Sequence, residues 1–338
     1  MQWLHLIVVA LLGLAAADVC PTGPQPPDTT SGGMVYTYPY SINYQSLPYQ
    51  QQTLCQAYMD IGPSCPPNGK VVVVLHGKNF CSVTWNATID VLASRGFRII
   101  APDQVGFCKS SKPQSYQYSF QQLALNTKTI LDNLNITSVT VMGHSMGGML
   151  ASRFALMYPS LVERLIMVNP LGLEDWKAKG VPYLPIDSIF KTELASNYTS
   201  IRSYEQMTYY VNTWKADYDA WVYMLLTVYH GSLGRTFAYD QALVTDMVIT
   251  QPTIYEYPLL ANTRTLLVVG QKDNTAIGKQ WSPPAVQAIL GNYSVLGKEA
   301  KARIGDNCTL VEYADLGHSP QVQDPDRFHA SLLEWLSE

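Results

Sequence analysis

The chain has 338 residues, 47% hydrophobic and 14% charged, with a formal net charge of −4. That length suits one large catalytic domain with an insertion. Mild acidity without a basic cluster excludes a nucleic-acid footprint and a polybasic membrane patch, so the expected partner is a small, largely neutral molecule.

An apolar run over residues 4–14 leads into Ala15, Ala16 and Ala17, small residues that suit signal-peptidase cleavage ahead of Asp18. Residues 1–17 are therefore expected to be a signal peptide. The run is too short for a stable membrane span, and the mature protein is expected to be extracellular. Export exposes Cys20, Cys55, Cys65, Cys81, Cys108 and Cys308 to an oxidising compartment, where an even number favours disulfides over metal binding. Several pairings are open. Cys55 with Cys65 would close a short loop, and Cys81 with Cys108 would tie two loops at neighbouring strand ends. Glycosylation sequons stand at Asn86, Asn135, Asn197, Asn292 and Asn307.

Residues 18–50 are rich in Pro, Gly, Ser, Thr and Tyr without a helical period, which predicts an extended, mostly irregular arm. A strand is expected over 52–60. The short apolar runs 70–75, 98–101, 139–142, 164–168 and 265–269 have the character of parallel strands covered on both faces. Between them lie segments long enough for crossover helices, so the pattern predicts a mostly parallel α/β sheet with helices on both faces. After Val168 the rhythm breaks for roughly 95 residues, a length that calls for structure of its own. That stretch is crowded with aromatics, among them Trp176, Tyr183, Tyr209, Tyr210, Trp214, Trp221, Tyr223 and Tyr229. Residues 171–257 are accordingly read as an inserted helical cap, and 51–170 with 258–338 as the core. A last strand over 310–313 and an amphipathic helix over 326–336 close the chain.

The sequence Gly143-His144-Ser145-Met146-Gly147-Gly148 sits between a predicted strand and a predicted helix, the context in which G-x-S-x-G forms a nucleophile elbow. A sharp turn there exposes the Ser145 hydroxyl and leaves the first amides of the following helix free, chiefly that of Met146, to stabilise an oxyanion. A serine hydroxyl needs a base to take its proton and a third group to orient that base. His318 follows the last strand as the base, and Asp273 follows the strand at 265–269 as the acid. Glu174 or Asp175 are alternative acids. The second oxyanion donor is expected in the loop after residue 75, with Lys78 favoured and Asn79 next. His76 and His144 are expected to pack and hydrogen-bond, because one base suffices, and Asp103 is expected to structure its loop.

His76-Gly77, the elbow, Asp273 and Leu316-Gly317-His318 together resemble the α/β-hydrolase family, and the resemblance runs from about residue 52 to the carboxyl terminus. Asp103-Gln104-Val105-Gly106 is similar to that family's loop after the fourth strand. Lys78-Asn79 departs from common members. The resemblance implies the α/β-hydrolase fold and hydrolysis of a carboxylic ester or lactone through an acyl-enzyme, with no cofactor and no metal. Two other activities could use the same three residues. Carbon–carbon bond hydrolysis needs a cation for an acidic ketone, with Lys78 the candidate, and a small-peptide peptidase needs an acid for the substrate amine, with Glu174 or Asp175 the candidates. A non-catalytic secreted binding protein is the reading from another class.

Overall fold

The computed structural model describes residues 19–338, so the expected signal peptide lies outside the described residues. Eight strands form one sheet: β1 (Ile42–Tyr49), β2 (Gln52–Ile61), β3 (Val71–Leu75), β4 (Arg98–Pro102), β5 (Val139–His144), β6 (Val162–Val168), β7 (Arg264–Gly270) and β8 (Cys308–Tyr313). Their order is β1-β2-β4-β3-β5-β6-β7-β8. β1 and β2 run antiparallel, as do β2 and β4, and every later pairing is parallel.

The strands form where apolar β-branched runs can be buried on both faces. Val73, Val74, Ile99, Ile100, Val141, Ile166 and Leu267 have no exposed surface, which is why these segments read as continuous rather than alternating runs. The helices are α1 (Asn86–Ala93), α2 (Phe120–Asn133), α3 (Met146–Met157), α4 (Ile186–Leu194), α5 (Tyr198–Thr208), α6 (Asp219–Tyr229), α7 (Gly234–Thr250), α8 (Pro284–Gln287), α9 (Tyr293–Ile304), α10 (Pro320–Gln323) and α11 (Pro325–Ser337). α2 packs on α3, α3 and α9 both lie against the 3-10 turn Ile254–Leu260, and α1 packs on α11. The four helices α4 to α7 fill the interval between β6 and β7, where the strand rhythm breaks.

Two expectations are corrected. The last part of the predicted irregular arm is β1, paired with β2 from Ile42↔Met59 to Tyr49↔Gln52. Its sequence, INYQSLPY, lacks alternation because it is an edge strand with mixed burial, and an edge position also tolerates Pro48. The Cys55–Cys65 pairing does not form: Cys55 is bonded to Cys20, while Cys65 and Cys308 are free. Cys55 lies inside β2, and a strand advances about 3.3 Å per residue, so the chain has moved well away before Cys65. Cys81 and Cys108 are bonded as anticipated.

Candidate active site

β5 runs into the elbow, and Ser145 precedes α3 with φ 58° and ψ −122°. A non-glycine residue in such a conformation stores about 1–3 kcal/mol, held by its surroundings. The Ser145 amide donates to Val168 O at 3.1 Å, and its carbonyl accepts from the Gly148 amide at 2.9 Å. The turn is tight enough that a Cβ on Gly143 would stand 1.9 Å from Gly147 O, and one on Gly147 would stand 2.2 Å from Leu75 O. Glycine is required at both, and its presence lets α3 start directly beneath the hydroxyl.

His318 lies between β8 and α10, with Nε2 2.8 Å from Ser145 Oγ and Nδ1 2.6 Å from Asp273 Oδ2. Asp273 follows β7. The three predicted residues thus come together at the carboxyl ends of three strands, where open α/β sheets build their sites. All are buried, at 4%, 3% and 0% exposure for Ser145, Asp273 and His318. The Asp273 carboxylate also accepts from Asn169 Nδ2 at 2.9 Å and from the Thr275 amide at 2.8 Å. Asn169 in turn accepts from the Gly270 amide through Oδ1 at 3.0 Å. This residue was missed in the sequence; its only signal is an Asn-Pro pair closing an apolar strand. Glu174 makes no contact with His318: its oxygens take the Gly291 amide, Trp176 Nε1 and Lys179 Nζ. Asp175 holds Tyr255 and a local turn instead.

Lys78 and Asn79 occupy the turn after β3, closed by the Phe80 amide donating to Gly77 O at 3.1 Å. Among the described residues, no backbone carbonyl takes the N–H of Lys78, Asn79 or Met146. The far end of this turn is fixed twice. Cys81 is bonded to Cys108, and Asp103 Oδ1 accepts from the Ser82 amide at 2.8 Å. Asp103 Oδ2 takes Tyr38 and the Lys109 amide, so this acid structures its loop. Burial pushes both His76 and His144 down, which keeps them neutral. His76 accepts from the Gln104 amide, and His144 Nε2 donates to His318 O at 2.8 Å.

Tyr209, just after α5, covers His318. Its ring lies 4.9 Å from that of His318 at 30°, and its hydroxyl accepts from Asn79 Nδ2 at 2.9 Å. The next turn holds Val211 and Asn212 at φ 53° and 57°, and Tyr209 O lies close over Gly317. The strap therefore touches both the loop carrying His318 and the turn carrying Asn79. A cavity of about 600 Å³ opens beside Ser145, walled by Lys78, Asn79 and Tyr209 on one side and by Leu171, Ile201 and Trp281 elsewhere.

The sequence model of the α/β hydrolase fold matches residues 70–185. The crystal structure of a probable hydrolytic enzyme from Pseudomonas aeruginosa PAO1 is 50% identical, covers 92% of this chain and 99% of that one, and superposes with a TM-score of 0.88. An uncharacterised protein of Mycobacterium tuberculosis is 41% identical over 106 residues, 31% of this chain and 30% of that protein. A cis-3-alkyl-4-alkyloxetan-2-one decarboxylase of Xanthomonas campestris is 33% identical over 156 residues, 44% of this chain and 50% of that protein. The match thus spans 30% of one of these curated relatives and 50% of the other. Likeness to the Pseudomonas structure over 92% of this chain, together with the sheet order and the elbow, places the chain in the α/β-hydrolase fold family.

Proposed function

We propose that the protein is a secreted serine hydrolase that cleaves a carboxylic ester or lactone of a small, largely neutral substrate through an acyl-enzyme. The observation that carries this reading is the unbroken hydrogen-bonded chain from Ser145 Oγ through His318 to Asp273, at 2.8 and 2.6 Å, opening on one cavity. Ser145 attacks the acyl carbonyl while His318 Nε2 takes its proton, and Asp273 holds Nδ1–H so that the correct tautomer faces the serine. Negative charge gathers on the carbonyl oxygen, where the amides of Met146 and Lys78 receive it, with Asn79 the alternative donor; one such donor is worth about a hundredfold in rate or more. His318 then protonates the leaving group, and water repeats the sequence to release the acid.

The Xanthomonas relative is named for an oxetan-2-one, which favours including lactones. The groups that the competing activities would use are already engaged: Lys78 is paired with Glu193, Glu174 with Lys179, and Asp175 accepts from the Tyr255 hydroxyl and a local turn amide. The inserted helices α4 to α7 act as the cap in this reading, since they supply much of the cavity wall. Secretion fits the two disulfides, and the exposed sequons Asn135, Asn197, Asn292 and Asn307 fit glycosylation there. No helix among the described residues is long and apolar enough to cross a membrane.

The test is labelling of the purified protein with a fluorophosphonate, then turnover of p-nitrophenyl esters of graded chain length. Labelling and turnover are expected in the wild type and lost in Ser145→Ala and His318→Ala. Full turnover by Ser145→Ala, free of contaminating esterase, would refute the assignment.

A further inference from the structure

The cavity wall carries one ion pair in a setting that is otherwise largely apolar. Lys78 Nζ donates to Glu193 Oε1 at 2.7 Å, and the two side chains are only 14% and 15% exposed. The Tyr229 hydroxyl donates to the other carboxylate oxygen, Oε2. Lys78 comes from the turn after β3, Glu193 from α4 and Tyr229 from α6, and all three line the cavity that holds Ser145. Around them stand Leu171, Ile189, Ile201, Leu225 and Ile277.

We propose that Glu193 is a specificity-determining residue: by neutralising Lys78 it makes the cavity select uncharged acyl groups and reject those ending in a carboxylate. The inference rests on the ester-hydrolase reading above. Lys78 supplies the backbone amide expected to meet the carbonyl oxygen, so its ammonium lies on the wall of the same chamber as the acyl group. Left alone, an ammonium in an apolar wall would capture a carboxylate by a charge-assisted hydrogen bond strengthened by the low local dielectric. With Glu193 in place, a carboxylate approaching Nζ also approaches a fixed negative charge, and the attraction is cancelled. Tyr229 holds Glu193 in this role from the far side, giving both carboxylate oxygens a partner. Specificity here is produced by a repulsive element against the wrong substrate, in addition to apolar contact with the right one.

The experiment compares p-nitrophenyl pentanoate with the mono-p-nitrophenyl ester of glutaric acid, whose acyl chains differ chiefly in ending in a methyl group or a carboxylate. The readout is the ratio of kcat/KM for the two esters within each variant, so that a general loss of activity or of folded protein cancels. Wild type should favour the neutral ester. Glu193→Gln should shift the ratio toward the glutarate ester by about tenfold or more, chiefly through KM, because it leaves Lys78 unpaired. Lys78→Met, which keeps the backbone amide, should shift the ratio the opposite way, and it carries the test if Glu193→Gln does not fold. A wild type that shows no preference, or ratios unchanged within about twofold in the variants, overturns the proposal while the ester-hydrolase reading stands. A wild type that takes up fluorophosphonate and cleaves neither ester overturns both.

Discussion

Tyr209 gives the sharpest test of how the strap after α5 acts on the site. Tyr209→Phe removes one atom, the hydroxyl that accepts from Asn79 Nδ2 at 2.9 Å, and leaves the ring against His318. A neutral hydrogen bond of this kind contributes about 1 kcal/mol, whereas complete loss of an oxyanion donor costs about 3 kcal/mol. The turn bearing Asn79 remains held by the Cys81–Cys108 bond and by Asp103, so the smaller figure applies. kcat/KM for a neutral ester should fall about fivefold, with its pH dependence unchanged because the bonds of His318 to Ser145 and Asp273 are untouched. Asn79→Ala breaks the same bond from the other side. In a double-mutant cycle the pair should couple by about 1 kcal/mol, the double variant being little worse than either single one. Full multiplication of the two losses, or wild-type kcat/KM in Tyr209→Phe, would refute the idea that this bond positions the turn.

The remaining predictions concern the supports of the site and of the fold. Asn169→Ala leaves Asp273 and the Gly270 amide each short of a buried partner, a loss of about 1–3 kcal/mol, and turnover should fall with it. Asn169→Asp places a like charge beside Asp273 and should be the worse of the two; equal activities would contradict the arrangement. Burial pushes the Asp240 carboxyl up to about 8, and pushes the Lys112 ammonium down to about 7. A raised carboxyl stabilises the fold most below its unfolded value near 3.8 and loses that contribution as pH rises through about 8. Lys112 is charged in both states below about pH 7, so between about pH 4 and pH 7 the slope belongs to Asp240. Asp240→Asn should therefore gain stability relative to wild type when calorimetry at about pH 5 is repeated at about pH 7; a relative loss would mean that Asp240 serves as an anion. Cys81→Ser with Cys108→Ser opens a loop of sequence separation 27 and should cost roughly 3.5 kcal/mol on chain-entropy grounds. Denaturant unfolding reads that cost, and activity per folded molecule reads the loosening of the Lys78 turn.

The parallel strands were legible because burial on both faces forces continuous apolar runs, and the structure begins or ends each within a few residues of those runs. Ser145, His318 and Asp273 were legible because strand ends fix where such residues must stand, even with the serine and the histidine 173 positions apart. β1 was illegible for the converse reason: an edge strand bonded on one side tolerates Tyr, Gln and Pro. Asn169 carries no motif, since its part depends on β6 and β7 lying side by side in the sheet. Tyr209 stood out only as one aromatic among many. Nothing in its local sequence says that this ring, rather than Tyr204 or Tyr210, lies over His318. The partner of Cys55 was likewise hidden, because β2 had to be extended before Cys20 could become its neighbour.

The turn after β3 is fastened to the helices inserted between β6 and β7 by two cross-links, Lys78 to Glu193 and Asn79 to Tyr209. For protein engineering this means the insertion is not an exchangeable module. A chimaera that grafts a relative's α4 to α7 onto this core keeps the elbow but leaves two side chains beside Ser145 without their counterparts. Selectivity can be transplanted only if positions 78 and 79 travel with the graft, so a library that varies 193 and 209 should vary those two with them.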